Sequence, residues 1–188
     1  PDTDPSFRTP KGAQVFLKEP EFSDAARLDG YLSHVNTHLA AFENTLYSEE
    51  FADPRTGYRS MIDVDTFVEY YLVNELMKNL DAGLNNSNWM YRENGGLLSM
   101  GPLWDFDQSS GARLHGGIDG AEGWHLRRNW YPLTWGSAPS QINDPQGHWF
   151  NRLFDDPWFV DQVTQRWREV REALLGLPAY ARESAAAM

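Results

Sequence analysis

An Asn-Gly pair, Asn94-Gly95, followed by Gly96, stands between two short apolar runs, Asn88-Trp89-Met90-Tyr91-Arg92 and Leu97-Leu98-Ser99-Met100. Asn and Gly tolerate the left-handed backbone that tight hairpin turns require, so this pattern predicts a β-hairpin in mid-chain. On either side, apolar residues recur instead every three or four positions, the period of a helix buried along one face. One central hairpin among amphipathic helices predicts a mainly helical α+β domain.

The helices can be placed by their stripes and caps. Ser23 is expected to open the first, with Leu28, Tyr31, Leu32, Val35, Leu39, Phe42 and Leu46 as its core stripe. Asp53-Pro54-Arg55-Thr56-Gly57 then marks a loop. A second helix is expected to begin between Asp63 and Thr66, where Thr66 and Glu69 have capping-box spacing, and to end near Leu80. After the hairpin, His148 to Phe154 reads as a short helical segment. Asp156 with Pro157 in the first turn starts a longer one, its stripe Phe159, Val163, Trp167, Val170 and Leu174, which Gly176 and Pro178 end. The segment from Ala112 to Gln146 is irregular, and a loop of that length in a compact domain usually serves a function. Residues 1–22, rich in proline and charge, read as an extended lead-in with room for one edge strand at Val15-Phe16-Leu17; 23–178 is the main lobe and 179–188 a tail.

Composition excludes several classes. The chain has 188 residues, enough for one domain or a large piece of one, and is 41% hydrophobic, enough to bury a core. Its net charge of −11 disfavours a general nucleic-acid binder, which works by neutralising phosphates. With no cysteine, disulfides, zinc-thiolate sites and thiol catalysis are out. No apolar run approaches the roughly 20 residues that span a bilayer, and no signal peptide is evident. The chain begins with Pro1, which fits a processed product or an excised fragment.

The chemistry concentrates in Gly101-Pro102-Leu103-Trp104-Asp105-Phe106-Asp107-Gln108-Ser109-Ser110-Gly111. If this segment is strand, Asp105 and Asp107 share a face, because side chains alternate with period 2. Paired carboxylates repel and call for a cation, a shared proton or open water. The hairpin is expected to bring the polar Asp81-to-Asn88 loop beside Asp105. Aspartates and asparagines offer hard oxygen ligands, which suit Mg²⁺ or Mn²⁺.

At these residues the chain resembles the CotH kinase family of spore coat protein H. The resemblance runs through Asn79-Leu80-Asp81, Asn88-Trp89-Met90-Tyr91-Arg92 and Met100-Gly101-Pro102-Leu103-Trp104-Asp105-Phe106-Asp107 with Gly111. Its flanks are Asp53-Pro54…Gly57-Tyr58, Ile62-Asp63-Val64-Asp65-Thr66-Phe67 and Phe154-Asp155-Asp156-Pro157-Trp158-Phe159…Arg166-Trp167. The resemblance implies the C-terminal lobe of an atypical protein-kinase-like fold, with the hairpin carrying a metal-binding aspartate. It also implies transfer of the γ-phosphate of ATP to Ser/Thr hydroxyls of a protein substrate. Carried over, Asp81 is the catalytic aspartate, Asp105 holds Mg²⁺ or Mn²⁺ against the ATP phosphates, and Asp107 is an accessory ligand. The second metal ligand is Asn86 by kinase spacing or Asn88 by its aromatic neighbour, and both stand as candidates. A glycine-rich loop and a phosphate-holding lysine are not found: Lys11 and Lys18 lie in the lead-in and Lys78 on the second helix. The N-terminal lobe of the same polypeptide is therefore the expected partner, and this piece alone is expected to be inactive. Spore coat or bacterial surface is implied by the family only.

A non-catalytic coat or surface assembly module of the same fold is the other class, with Trp124, Trp130 and Trp135 as stacking faces for glycans or peptides. Core packing is the simpler use of those tryptophans. Arg127-Arg128 reads as solvated. His34 and His38, four apart on the first helix, have metal-compatible spacing but no evident third ligand, and read as surface or core residues.

Overall fold

The structure, a computed structural model, describes residues 4–20, 24–79, 82, 88–107, 109, 124, 126 and 149–187. Two antiparallel strands, β1 (Ser6–Arg8) and β2 (Gln14–Phe16), form a hairpin where a single edge strand is expected. The long helix α1 (Ala25–Leu46) follows. A 3₁₀ turn at Tyr58–Ser60 precedes α2 (Val64–Met77). The central hairpin is β3 (Met90–Tyr91) paired with β4 (Ser99–Met100), in register Met90 to Met100 and Tyr91 to Ser99. Helices α3 (Trp149–Leu153), α4 (Pro157–Leu175) and α5 (Leu177–Ala186) close the chain. The architecture is α+β and mainly helical, as the apolar spacing predicts.

Aromatic residues make the core. Phe42, Phe67, Tyr58, Tyr71, Trp149, Phe150 and Phe159 are all essentially inaccessible. Phe42 meets the Trp149 ring edge-on at 4.9 Å, and Tyr70 stacks on Phe150 at 5.6 Å. Among them lies a carboxylate, Glu43, at 0% exposure. It accepts from the backbone N–H of Lys11 and from the indole N–H of Trp149, each at 2.8 Å. Both acceptor oxygens are thus engaged, as burial of a polar side chain requires.

Several expectations change. Helix α1 is capped by Asp24, whose side chain accepts from Ala26 N–H, one residue beyond Ser23. Only its C-terminal half is core: Leu39, Phe42 and Leu46 are buried, while Leu28, Tyr31, Leu32 and Val35 are half-buried. Thr66 is not a cap. Its hydroxyl donates to the Asp63 carbonyl and accepts from Met100 N–H, tying β4 to the first turn of α2. Helix α2 stops at Met77, with Lys78 left-handed at φ +52°, earlier than Leu80. On α4 only Phe159 and Val163 are buried, and Trp167, one turn beyond Val163, is 39% exposed. Gly176 ends α4, whereas Pro178 stands at the start of α5, where its missing N–H costs nothing.

Candidate functional site

The site is built around the C-terminal end of α2 and the open end of the hairpin. The turn Glu93 to Gly96 is closed by Gly96 N–H donating to Glu93 O at 2.9 Å, with Gly95 at φ +74°. The hairpin docks on the chain before α2, where Leu98 N–H donates to Met61 O and Asp63 N–H donates to Leu98 O. At its far end Gly101 N–H donates to Trp89 O at 2.8 Å, and the Trp89 and Trp104 rings meet edge-on at 6.5 Å. The Asn88-Trp89 end therefore lies against the segment that leads to Asp105. That juxtaposition follows from antiparallel pairing.

Strand geometry does not reach the aspartates. β4 ends at Met100, Gly101 takes φ +127° and Asp105 takes φ +60°. The alternation argument for Asp105 and Asp107 therefore fails, since period 2 holds only along a strand. The hairpin delivers the aspartate segment without carrying it. Asp is among the few residues that enter the left-handed region readily. Both carboxylates are exposed, and Ser109 closes the following turn with its hydroxyl donating to Phe106 O at 2.5 Å. Among the described residues no three His, Cys, Asp or Glu side chains cluster as a metal site.

The start of the loop is anchored to the helix before it. Asn79, buried, donates through Nδ2 to Asn74 Oδ1 at 2.9 Å and through its N–H to Asn74 O at 3.2 Å. Asn74 in turn donates to Tyr70 O. The Tyr70 hydroxyl donates to Asn88 Oδ1, so one helix fixes both the entry to the loop and the residue that leaves it. Glu75, also buried, accepts from Leu126 N–H at 2.7 Å and lies 3.6 Å from Lys78 Nζ. This brings residue 126 of the long irregular segment back onto the last turn of α2. The sequence marks Tyr70 as an apolar residue of the second helix, with Phe67, Tyr71, Val73, Leu76 and Met77, and does not point to Asn74 or Glu75. Nothing in the sequence sets Asn74 and Glu75 apart, because the same helix also carries Asp65, Thr66 and Glu69.

Of the expected site residues, Asn88, Asp105 and Asp107 are described; Asp81, Asn86 and Gly111 lie outside the described residues. So do His115, His125, His148, Arg127, Arg128, Trp130 and Trp135. Trp124 does not pack as core: it is 59% exposed and stacks at 6.3 Å on Tyr71. No described helix is long and apolar enough to cross a membrane.

Fold and site together define a small α+β domain with an acidic segment set against a hairpin end. Residues 9–186 match the family model described as CotH kinase protein, so the chain belongs to the CotH kinase family. No curated protein and no solved structure matches it.

Proposed function

We propose that the chain is the catalytic-loop and metal-holding part of an ATP-dependent protein kinase acting on Ser/Thr hydroxyls. The observation that supports this reading is the closure of the hairpin end, Gly101 N–H on Trp89 O, which brings the Asn88-Trp89 end against the segment leading to Asp105 in a member of this family. The donor set suits the metal in kind: two exposed carboxylates and an amide, all hard oxygen. Asp105 and Asp107 would hold Mg²⁺ or Mn²⁺, which neutralises the charge that develops on the transferred phosphoryl group. Asn88 already accepts from Tyr70, so we assign it to positioning and Asn86 to the second metal position. Asp81, two residues past the anchored Asn79, would orient or deprotonate the attacking hydroxyl.

Leu103 and Trp104, 43% and 60% exposed immediately before Asp105, would offer a phosphate-binding lobe an apolar surface to pack on. The test is a thermal-shift titration of ATP with Mg²⁺ or Mn²⁺ on the full-length polypeptide, followed by phosphate transfer to a protein acceptor. Metal-dependent stabilisation by ATP is expected. Its absence in that polypeptide would overturn the reading and leave the non-catalytic assembly module.

A further inference from the structure

The turn that closes the central hairpin leaves one amide N–H unused beside an asparagine side chain. Asn94 and Gly95 are both exposed. Gly95 takes φ +74°, with no heavy atom within 4 Å of where a Cβ would stand. The turn's hydrogen bond is made one residue later, by Gly96 N–H on Glu93 O at 2.9 Å, and among the described residues the Gly95 N–H donates to nothing. With Gly95 left-handed and Asn94 not, this is a type II turn, which leaves the amide between its two central residues unheld.

The other described asparagines lack this combination. Asn36, Asn44 and Asn74 lie inside helices, where the following amide donates to the carbonyl four residues back. Asn79 is buried, and Asn88 and Asn151 precede the bulky residues Trp89 and Arg152. Asp29-Gly30 has the glycine, but it sits within α1, where the helix uses the Gly30 N–H.

We propose that Asn94 is a site of spontaneous deamidation, converted with the help of Gly95 to isoaspartate and aspartate. Asparagine is among the thermolabile residues, and glycine next to it neither blocks attack nor confines the backbone. The Gly95 amide nitrogen gives its proton to solvent base and attacks Asn94 Cγ. The N–Cγ bond forms, the Cγ–Nδ2 bond breaks, and Nδ2 leaves as ammonia after taking a proton from water. Water then opens the five-membered imide. Cleavage at Cγ gives aspartate, and cleavage at the main-chain carbonyl carbon gives isoaspartate.

Either product places a second carboxylate beside Glu93. Isoaspartate also inserts one carbon into the loop of backbone that Gly96 N–H closes on Glu93 O, so it opens the turn, whereas aspartate preserves it. The site lies at the opposite end of the hairpin from Trp89 and Gly101, and it stands or falls independently of the kinase reading.

The test incubates the folded 188-residue chain beside a free peptide of residues 90–99 in the same warm, mildly alkaline buffer. Peptide mass spectrometry locates the gain of about one dalton that replacing NH₂ by OH brings, and an isoaspartyl-specific methyltransferase labels the isoaspartyl form. Asn94 should convert within about tenfold of the free-peptide rate, because no local opening is needed first. The rate should rise with pH, since the deprotonated amide is the attacking species. Asn94→Gln, which needs a larger ring, should abolish the label. The separated isoaspartyl fraction should melt below Asn94→Asp, which keeps the chain length. A slower Asn94 than that, faster conversion at Asn36, Asn44 or Asn74, or a label that persists in Asn94→Gln overturns the proposal. Equal melting of the isoaspartyl fraction and Asn94→Asp overturns the opening of the turn.

Discussion

The hydroxyl of Tyr58 donates at 2.8 Å to the carboxylate of Asp156, 98 residues further along the chain. The same oxygen accepts from Arg59 at 2.6 Å, while the other caps α4 through Trp158 N–H at 3.0 Å. The Arg59 guanidinium also lies over the Trp158 ring at 4.0 Å. Burial, then the Asp156 carboxylate, push the Tyr58 hydroxyl far above its ordinary range, so it remains a donor at any physiological pH. Tyr58→Phe removes one of three donors and should cost about 1–2 kcal/mol. Asp156→Ala removes the cap and strands Arg59 as well, and should cost about 3–5 kcal/mol. Urea unfolding ranks the two, and an Asp156→Ala no worse than Tyr58→Phe would show that the cluster is not shared as described.

Gly57 allows the turn that aims Tyr58. A Cβ there would stand 2.1 Å from Phe51 O and 2.6 Å from Asp53 O, both backbone atoms that already accept hydrogen bonds in the turn. Gly57→Ala should lose about 1–3 kcal/mol, or several degrees of melting temperature at about 2–4 °C per kcal/mol. Gly95→Asn, at a left-handed position with open space around it, should cost under about 1 kcal/mol. Equal melting temperatures for the two variants would refute the steric account.

Acid should destabilise the fold through His38. Its imidazole is depressed by burial, Arg92 and His34, so the unfolded chain binds the proton more readily. Stability is then full above about pH 6.5, the unfolded value, and falls as pH drops from there toward the lower folded value. In chloride buffer, His38→Gln should flatten that part of the stability–pH curve. An unchanged slope in the variant would sink the assignment.

At Asp105, asparagine is the informative substitution. Asn also adopts the left-handed backbone seen at φ +60°, so Asp105→Asn removes charge without adding strain. Unfolding free energy should stay within about 0.5 kcal/mol of the parent, as at other exposed sites. In the full-length polypeptide, stabilisation by ATP with Mg²⁺ should disappear; Asp107→Asn should weaken it less. Retained stabilisation in Asp105→Asn would remove this residue from the metal site.

Much of the frame could be read from residue spacing. Asp156 with Pro157 and the Asn-Gly turn both announce themselves, because cap and turn signals are local. Other features depend on contacts that spacing cannot express. Whether Trp167 is core depends on what faces it, and Thr66 was diverted from capping by a β4 amide 34 residues away. The aspartates looked like strand residues, yet Gly101 and Asp105 leave the extended region just past β4. Asn74 and Glu75 became visible only once their partners, Asn79 and Leu126, were placed beside them.

Glu43 has a consequence for the order in which the chain can be completed. Its donors come from Lys11 and from Trp149, the latter 106 residues beyond Glu43 itself. A ribosome that has finished α1, α2 and the central hairpin has not yet supplied the indole, and the first half of the molecule holds a carboxylate it cannot bury at equilibrium. Productive burial of this core therefore waits for α3, and chains interrupted before Trp149 are natural clients for chaperones and proteases.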